Sequence, residues 1–364
     1  LRQAGYAYNW SFPGFETTNF VDLVNAPIFS IDPIEITLRL SRNQMTDQIE
    51  NEVGYAVIFL GANDVRSRYG DYYESEISNS DRQRVVDHIE EIVDFIQGEN
   101  SSVKIIVVNV PDVGVTPSKI AAHPNPVKRA NASALIADLN QRLATMAADE
   151  GAIMAHVFSL TQQISQPGTF YINGTPFIKA GHPENPPQYL FAKDGFHPTT
   201  AAQALYANAI IAALNSYGES ITPLSNREIL DDALDLDPDQ PLLDYLAGFG
   251  IGSGNPSDDP DTDGNDHATE FALGTNPAVK DAPQRGLEIN TAQTQERLIA
   301  TFPLADTRNG YLSIEARQSP DLKPNTWSLL PSSQVSYSEA TGLEAWISIT
   351  ASRGFLKVSA IPAP

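Results

Sequence analysis

Two short strings hold residue types that can do chemistry together. Asp194-Gly195-Phe196-His197-Pro198 sets a carboxylate three residues before an imidazole, and Gly61-Ala62-Asn63-Asp64 puts an amide side chain after an apolar run. A general base near neutral pH is usually histidine, and a carboxylate holds its tautomer and stabilises the imidazolium. An amide at the end of a strand can donate to a developing oxyanion. A third string, Asn9-Trp10-Ser11-Phe12-Pro13-Gly14, offers a glycine N–H of the same use. Taken singly, each is commonplace: D-x-x-H reads equally as a loop histidine beside a solvated acid, and G-x-N-D as an Asx turn. Their shared order, at spacings that fit successive strand ends of one sheet, is what joins them.

The elements that must position these groups are legible as patterns. Tyr55–Leu60, Lys104–Val110 and Ile153–Phe158 are apolar runs expected of strands buried on both faces. A helix is predicted over about 81–97, with Val85, Ile89, Ile92 and Ile96 on one stripe. Another is predicted over about 129–150, with Ile136, Leu139, Leu143 and Met146 on its stripe. A last helix follows Thr199-Thr200. Such alternation implies a parallel sheet covered on both faces. Residues 163–193, rich in Pro, Gly and aromatics, read as a long loop forming a substrate-binding wall.

Over about residues 1–216 the three strings resemble the blocks of the SGNH, or GDSL-type, hydrolase family. Asn9 to Gly14 matches its glycine block, Gly61 to Asp64 its G-x-N-D block, and Asp194 to His197 its D-x-x-H block. The resemblance implies a flavodoxin-like three-layer α/β/α fold around a parallel sheet. It also implies a Ser-His-Asp acyl-enzyme mechanism, with His197 as base, Asp194 orienting it, and Gly14 and Asn63 in the oxyanion hole. The family's nucleophile lies in a G-D-S block on a first strand, a few tens of residues before the glycine block. Nothing before Gly14 matches it. Gly218-Glu219-Ser220 imitates it, but follows what reads as the final helix rather than a buried strand. Ser11 lies inside the glycine-block loop. The expectation is a catalytic domain over 1–217 that lacks the first strand and the serine, and so is poorly folded and inactive alone. A signal peptide upstream of Leu1 and a secreted or cell-surface location go with it. The substrate expected is an acyl ester of a small molecule or carbohydrate, such as a sugar acetate. The alternative is a degenerate hydrolase domain that binds glycans without catalysis.

Lys+Arg is 23 against Asp+Glu 45, a net charge of -22, which repels nucleic acid and anionic membrane surfaces. There is no cysteine, hence no disulfide or thiolate metal site. No apolar run reaches the roughly 20 residues of a membrane span. Residues 218–280 read as an acidic linker. Within it Asp259, Asp261, Asp263, the Asn265 carbonyl, His267 through water and Glu270 fall at calcium-loop spacing, with Gly264 at the sixth position. The linker resembles thrombospondin type 3-like segments, and a structural Ca²⁺ is expected. Residues 281–364 alternate as a small β-sandwich-like module, with turns at Arg308-Asn309-Gly310 and Ser352-Arg353-Gly354. Ser319-Pro320-Asp321-Leu322 before Trp327 resembles C-terminal modules of secreted proteins from Verrucomicrobia-like bacteria. Nothing in the sequence fixes the oligomeric state.

Overall fold

The three apolar runs form one parallel sheet in the computed structural model, in the order β1 (Tyr55–Ile58), β2 (Lys104–Val108), β3 (Ile153–Ala155). Val57 lies opposite Ile106, and Val107 opposite Met154. The structure describes residues 6–26, 32–280, 286–290, 297–302, 310–319, 326–338, 342–348 and 355–363. Two units emerge, Leu1–Gly168 with Ile178–Leu224, and Thr169–Phe177 with Ser225–Pro364.

In the first unit, α1 (Thr17–Val24) and α2 (Pro33–Asn51) precede β1. After β1 come α3 (Ala62–Ser67), α4 (Tyr69–Glu74) and the long α5 (Asn79–Glu99). Between β2 and β3 lie α6 (Pro117–Ala122) and α7 (Pro126–Asp149), and then follow α8 (Phe158–Ser165) and α9 (Thr200–Ser216). Strand alternation sorts the core into two layers. Ile105 and Val107 join Ile89 and Ile92 of α5 and Ile136, Leu139 and Leu143 of α7 on one face. Ile106 and Val108 join Ala155, Val157 and Ala213 on the other, with Tyr206 and Ile210 of α9 packed against them. Both predicted helix stripes are buried, Ile89 and Leu139 at 0% exposure. A fully buried side chain of this size contributes about 1.5–3 kcal/mol.

The third strand ends sooner than its apolar run. Val157 and Phe158 donate their N–H groups to Asn109 Oδ1 at 2.8 and 2.9 Å, which turns the chain into α8. The segment 163–193 is also more ordered than a loop. Asn173 and Gly174, at φ 49 and 75, make the left-handed two-residue turn of a hairpin between β4 (Phe170–Ile172) and β5 (Thr175–Gly181). Ile178 of β5 then pairs in parallel with Tyr189 of β6 (Tyr189–Phe191).

In the second unit α10 (Asn226–Glu228) runs into a π turn at Ile229–Ala233, followed by α11 (Gln240–Gly248) and α12 (His267–Leu273). The C-terminal strands are antiparallel. β7 (Gly286–Asn290), β8 (Arg297–Phe302), β12 (Gly342–Ser348) and β11 (Val335–Ser338) make one sheet, and β9 (Leu312–Ser319) lies between β10 (Ser328–Leu329) and β13 (Phe355–Pro362) in another. Leu242, Leu246 and Phe271 share a core with Tyr311, Leu312 and Ala360, so helices of the acidic stretch and C-terminal strands are buried together. Residues 308–309, 320–322 and 352–354, which carry the two turn signals and the Pro320-Asp321-Leu322 motif, lie outside the described residues. No helix among the described residues is long and apolar enough to cross a membrane.

Candidate active site

Asn63 lies in the first turn of α3, a helix rather than the Asx turn its sequence allowed. Gly61 makes this entry possible. It caps the helix at φ 96, and a Cβ there would meet Val110 Cγ2 at 2.8 Å. The Asn63 amide is aimed from the glycine-block loop: one N–H donates to the Phe15 carbonyl at 2.9 Å. The other is left to donate elsewhere. Gly14, at φ 80, precedes that carbonyl and is exposed.

The neighbouring Asp64 fastens the same loop. Its carboxylate accepts from the Thr17 hydroxyl at 2.6 Å and from the Thr17 N–H at 3.0 Å. The hydroxyl in turn lies 3.0 Å from His88 Nδ1. Burial pushes the Asp64 carboxyl above its usual range, against the lowering effect of both Thr17 donors. Thr17 is fully buried. The G-x-N-D string flags Asp64, but nothing in the spacing couples it to Thr17, 47 positions away.

His197 and Asp194 are held by one tight turn. Asp194 Oδ1 accepts the N–H groups of Phe196 at 2.9 Å and His197 at 3.0 Å, leaving Oδ2 for His197 Nδ1. Burial raises the Asp194 pKa. The Phe196 N–H, the His197 ring and the His197 N–H outweigh it and hold the carboxyl at about 2. Asp194 is therefore ionised at neutral pH and fixes the imidazole with Nε2 outward, its side chain 61% exposed.

One contact joins this turn to α3. Arg66, three residues after Asn63 and so on the same helix face, stacks on Phe196 with its guanidinium carbon 4.4 Å from the ring centroid. The Phe196 ring lies 5.3 Å from that of His197. From below, the Ser118 N–H donates to the Gly195 carbonyl at 3.0 Å. The Asp194–His197 turn is thus joined through Phe196 and Arg66 to α3, the helix that carries Asn63. Arg66 and Thr17 are the supporting residues that sequence reasoning passed over.

The other serines stand apart. Ser11 is tied locally, its hydroxyl donating to Asn9 Oδ1 at 2.6 Å. Ser220 follows Gly218, which ends α9 at φ 93. Beside β1, a groove of about 710 Å³ runs between residues 6–11 and strand residues 55–60. Val57 and Phe59 are 47% and 42% exposed along it, unlike the buried strand residues of β2.

In the second unit, carboxylate oxygens of Asp259, Asp261 and Asp263 lie within 4.8 Å of one another. One oxygen of each is taken by a loop N–H, of Gly264, Asp263 and Asn265 respectively. Asp259 Oδ1 and Asp261 Oδ2 are buried without a hydrogen-bonding partner. Glu270 is fully buried. His267 stands outside the cluster: Nδ1 is 3.1 Å from the Asn255 carbonyl, and its ring fills the space where Gly254 would carry a Cβ.

A family model described as GDSL-like Lipase/Acylhydrolase matches residues 17–210, a span that holds Asn63, Asp194 and His197 and begins after Gly14. No curated protein and no solved structure matches the chain.

Proposed function

The chain belongs to the GDSL-like lipase/acylhydrolase family, and from that premise we propose that it carries the proton-handling and oxyanion-binding half of a serine esterase site. The observation behind this reading is the Asp194–His197 pair, with Nε2 open to solvent and its turn joined to the Asn63 helix through Arg66 and Phe196. In the reaction His197 Nε2 takes the proton of a serine hydroxyl as its oxygen attacks the ester carbonyl. Asp194 stabilises the imidazolium formed. The free N–H of Asn63 and the N–H of Gly14 donate to the oxyanion. The imidazolium then gives its proton to the departing alcohol, and water repeats the sequence to release the acid.

The serine, in this reading, arrives on an extended segment seated beside β1. The groove between residues 6–11 and 55–60 supports this, because an exposed apolar edge of a parallel sheet has the dimensions and chemistry of a missing strand. Such a strand would end near Asn63 and His197. The substrate class proposed is an acyl ester on a carbohydrate, handled outside the cell. The experiment is hydrolysis of p-nitrophenyl acetate by the full-length gene product and by its His197→Ala form. Activity lost with His197 supports the reading, and equal activity in both refutes it. A full-length product with no serine-bearing strand, inert toward esters, would favour the glycan-binding alternative.

The acidic loop is proposed to hold a structural Ca²⁺. Its residues fit the ion: three carboxylates converge, two buried oxygens point at no donor, and Gly264 supplies φ 95 at the turn. Asp259, Asp261 and Asp263 would be ligands, with the Asn265 carbonyl and Glu270 completing the set. The ion would neutralise the cluster and brace α12. Calcium at a hundred times its Kd would add about 2.7 kcal/mol of stability, read as a rise in melting temperature that EGTA reverses. No shift would overturn the assignment.

A further inference from the structure

Cations in this chain are scarce, 23 against 45 acids, and most described ones meet a carboxylate, as Arg68 meets Asp81, Arg82 meets Asp138 and Arg227 meets Asp239. Arg66, Lys119 and Arg129 form no ion pair among the described residues; the first two lie beside the catalytic turn, and Arg129 is joined to them through Tyr69 and His123. Arg66 covers the Phe196 ring next to His197. The Lys119 ammonium donates to the Arg66 carbonyl at 2.9 Å and sits 5.1 Å over the Tyr69 ring. Tyr69 packs on His123 with ring centroids 5.1 Å apart, and Arg129 donates to the His123 carbonyl at 2.8 Å. Of the acids around these cations, Asp194 is paired with His197, Asp64 accepts from Thr17, Asp112 lies near Tyr69, and Glu74 lies near His123 and pairs with Lys128.

We infer that Arg66, Lys119 and Arg129 form a subsite for an anionic group on the alcohol side of the ester, so that the substrate is an acidic sugar chain bearing carboxylate or sulfate. This rests on the esterase reading and names its substrate class. A chain of net charge -22 repels polyanions at long range. Three cations without an ion-pair partner concentrate positive charge here, and at this place it acts on whatever group flanks the bond being cut. Guanidinium groups grip carboxylate and sulfate in the same forked geometry, and the shared feature is the anion. Burial, then the nearness of Arg66, lowers the Lys119 pKa, as expected of two cations held close without an anion between them.

The test uses the full-length gene product and three sugar trimers: trigalacturonate, a sulfated trimer and uncharged xylotriose. Binding followed by NMR shifts at 50 mM salt, a chosen low ionic strength at which surface charge is little screened, is expected to be about tenfold tighter for a charged trimer than for xylotriose. Lys119→Gln with Arg129→Gln removes two surface charge contacts and lowers that affinity about tenfold. The pair Lys119→Arg with Arg129→Lys restores it, which a merely structural role for either side chain would not require. Whichever charged trimer binds identifies the anion as carboxylate or sulfate. Equal binding of all three trimers, or a double Gln variant that binds like the parent, overturns the inference. Because binding is read without turnover, charge-selective binding by a protein inert toward esters overturns the esterase reading alone.

Discussion

Replacing Gly61 with alanine is the sharpest test of how this site is built. The residue sits at φ 96, where an L side chain costs about 1–2 kcal/mol. The new methyl would lie 2.8 Å from Val110 Cγ2, a buried side chain on the loop after β2 that cannot move freely. Overpacking of this kind adds about 1–3 kcal/mol. The sum, about 3 kcal/mol, lowers the melting temperature of a unit this size by about 6–12 °C. Asn63 lies two residues on, so its amide is displaced with the helix entry, and kcat for p-nitrophenyl acetate falls by about 10²–10³, as for loss of an oxyanion donor. Scanning calorimetry of Gly61→Ala, Val110→Ala and the double variant separates the two causes. Removing the Val110 methyl groups relieves the clash and leaves the backbone cost, so the double variant should be about 1–2 kcal/mol more stable than additivity allows. A shift below 1 °C for Gly61→Ala, or strict additivity, would refute the argument.

Other outcomes follow from the same contacts. Asp194→Asn keeps an acceptor for the Phe196 and His197 N–H groups but turns an amide toward Nδ1, so the imidazole takes the wrong tautomer and kcat falls about 10⁴-fold with KM little changed, read by steady-state kinetics. The Asp194 carboxyl is held at about 2 against an ordinary 3.8. A depressed acid stabilises the fold above its unfolded pKa, so its contribution is whole above about pH 4 and vanishes as pH falls toward 2. Solvent screening at a side chain 43% exposed keeps it below about 1 kcal/mol, and a denaturation series across that window measures it for the parent against Asp194→Asn. Thr17→Val leaves Asp64 buried with only the backbone donor. It should cost about 1–3 kcal/mol in melting experiments and lower kcat/KM through Asn63.

The legible parts of this protein were those set by local periodicity. The stripes on α5 and α7 predicted their buried faces, and the apolar runs predicted a parallel sheet. Asp194 and His197 meet because they are three residues apart on one turn, so their pairing was readable as well. What failed depended on partners distant in sequence. The run 153–158 looked uniformly strand-like, but the Asn109 side chain captures Val157 and Phe158 and ends the strand. Residues 163–193 looked like loop because Pro and Gly masked the Asn173-Gly174 hairpin signal. The bond between Thr17 and Asp64 spans 47 positions and the stacking of Arg66 on Phe196 spans 130, and no spacing rule reaches that far.

The small hairpin at 169–177 makes the two units inseparable by any single cut. Its residues group with the second unit, and Asn173 Nδ2 donates to the Pro238 carbonyl at 2.9 Å, while the chain on either side belongs to the first. Cleavage after Leu224 therefore does not release a finished domain. It strips the hairpin of the carbonyl that accepts from the Asn173 amide. A protease that trims the C-terminal region would thus remove a hydrogen-bonding partner of a hairpin that lies, in sequence, inside the first unit.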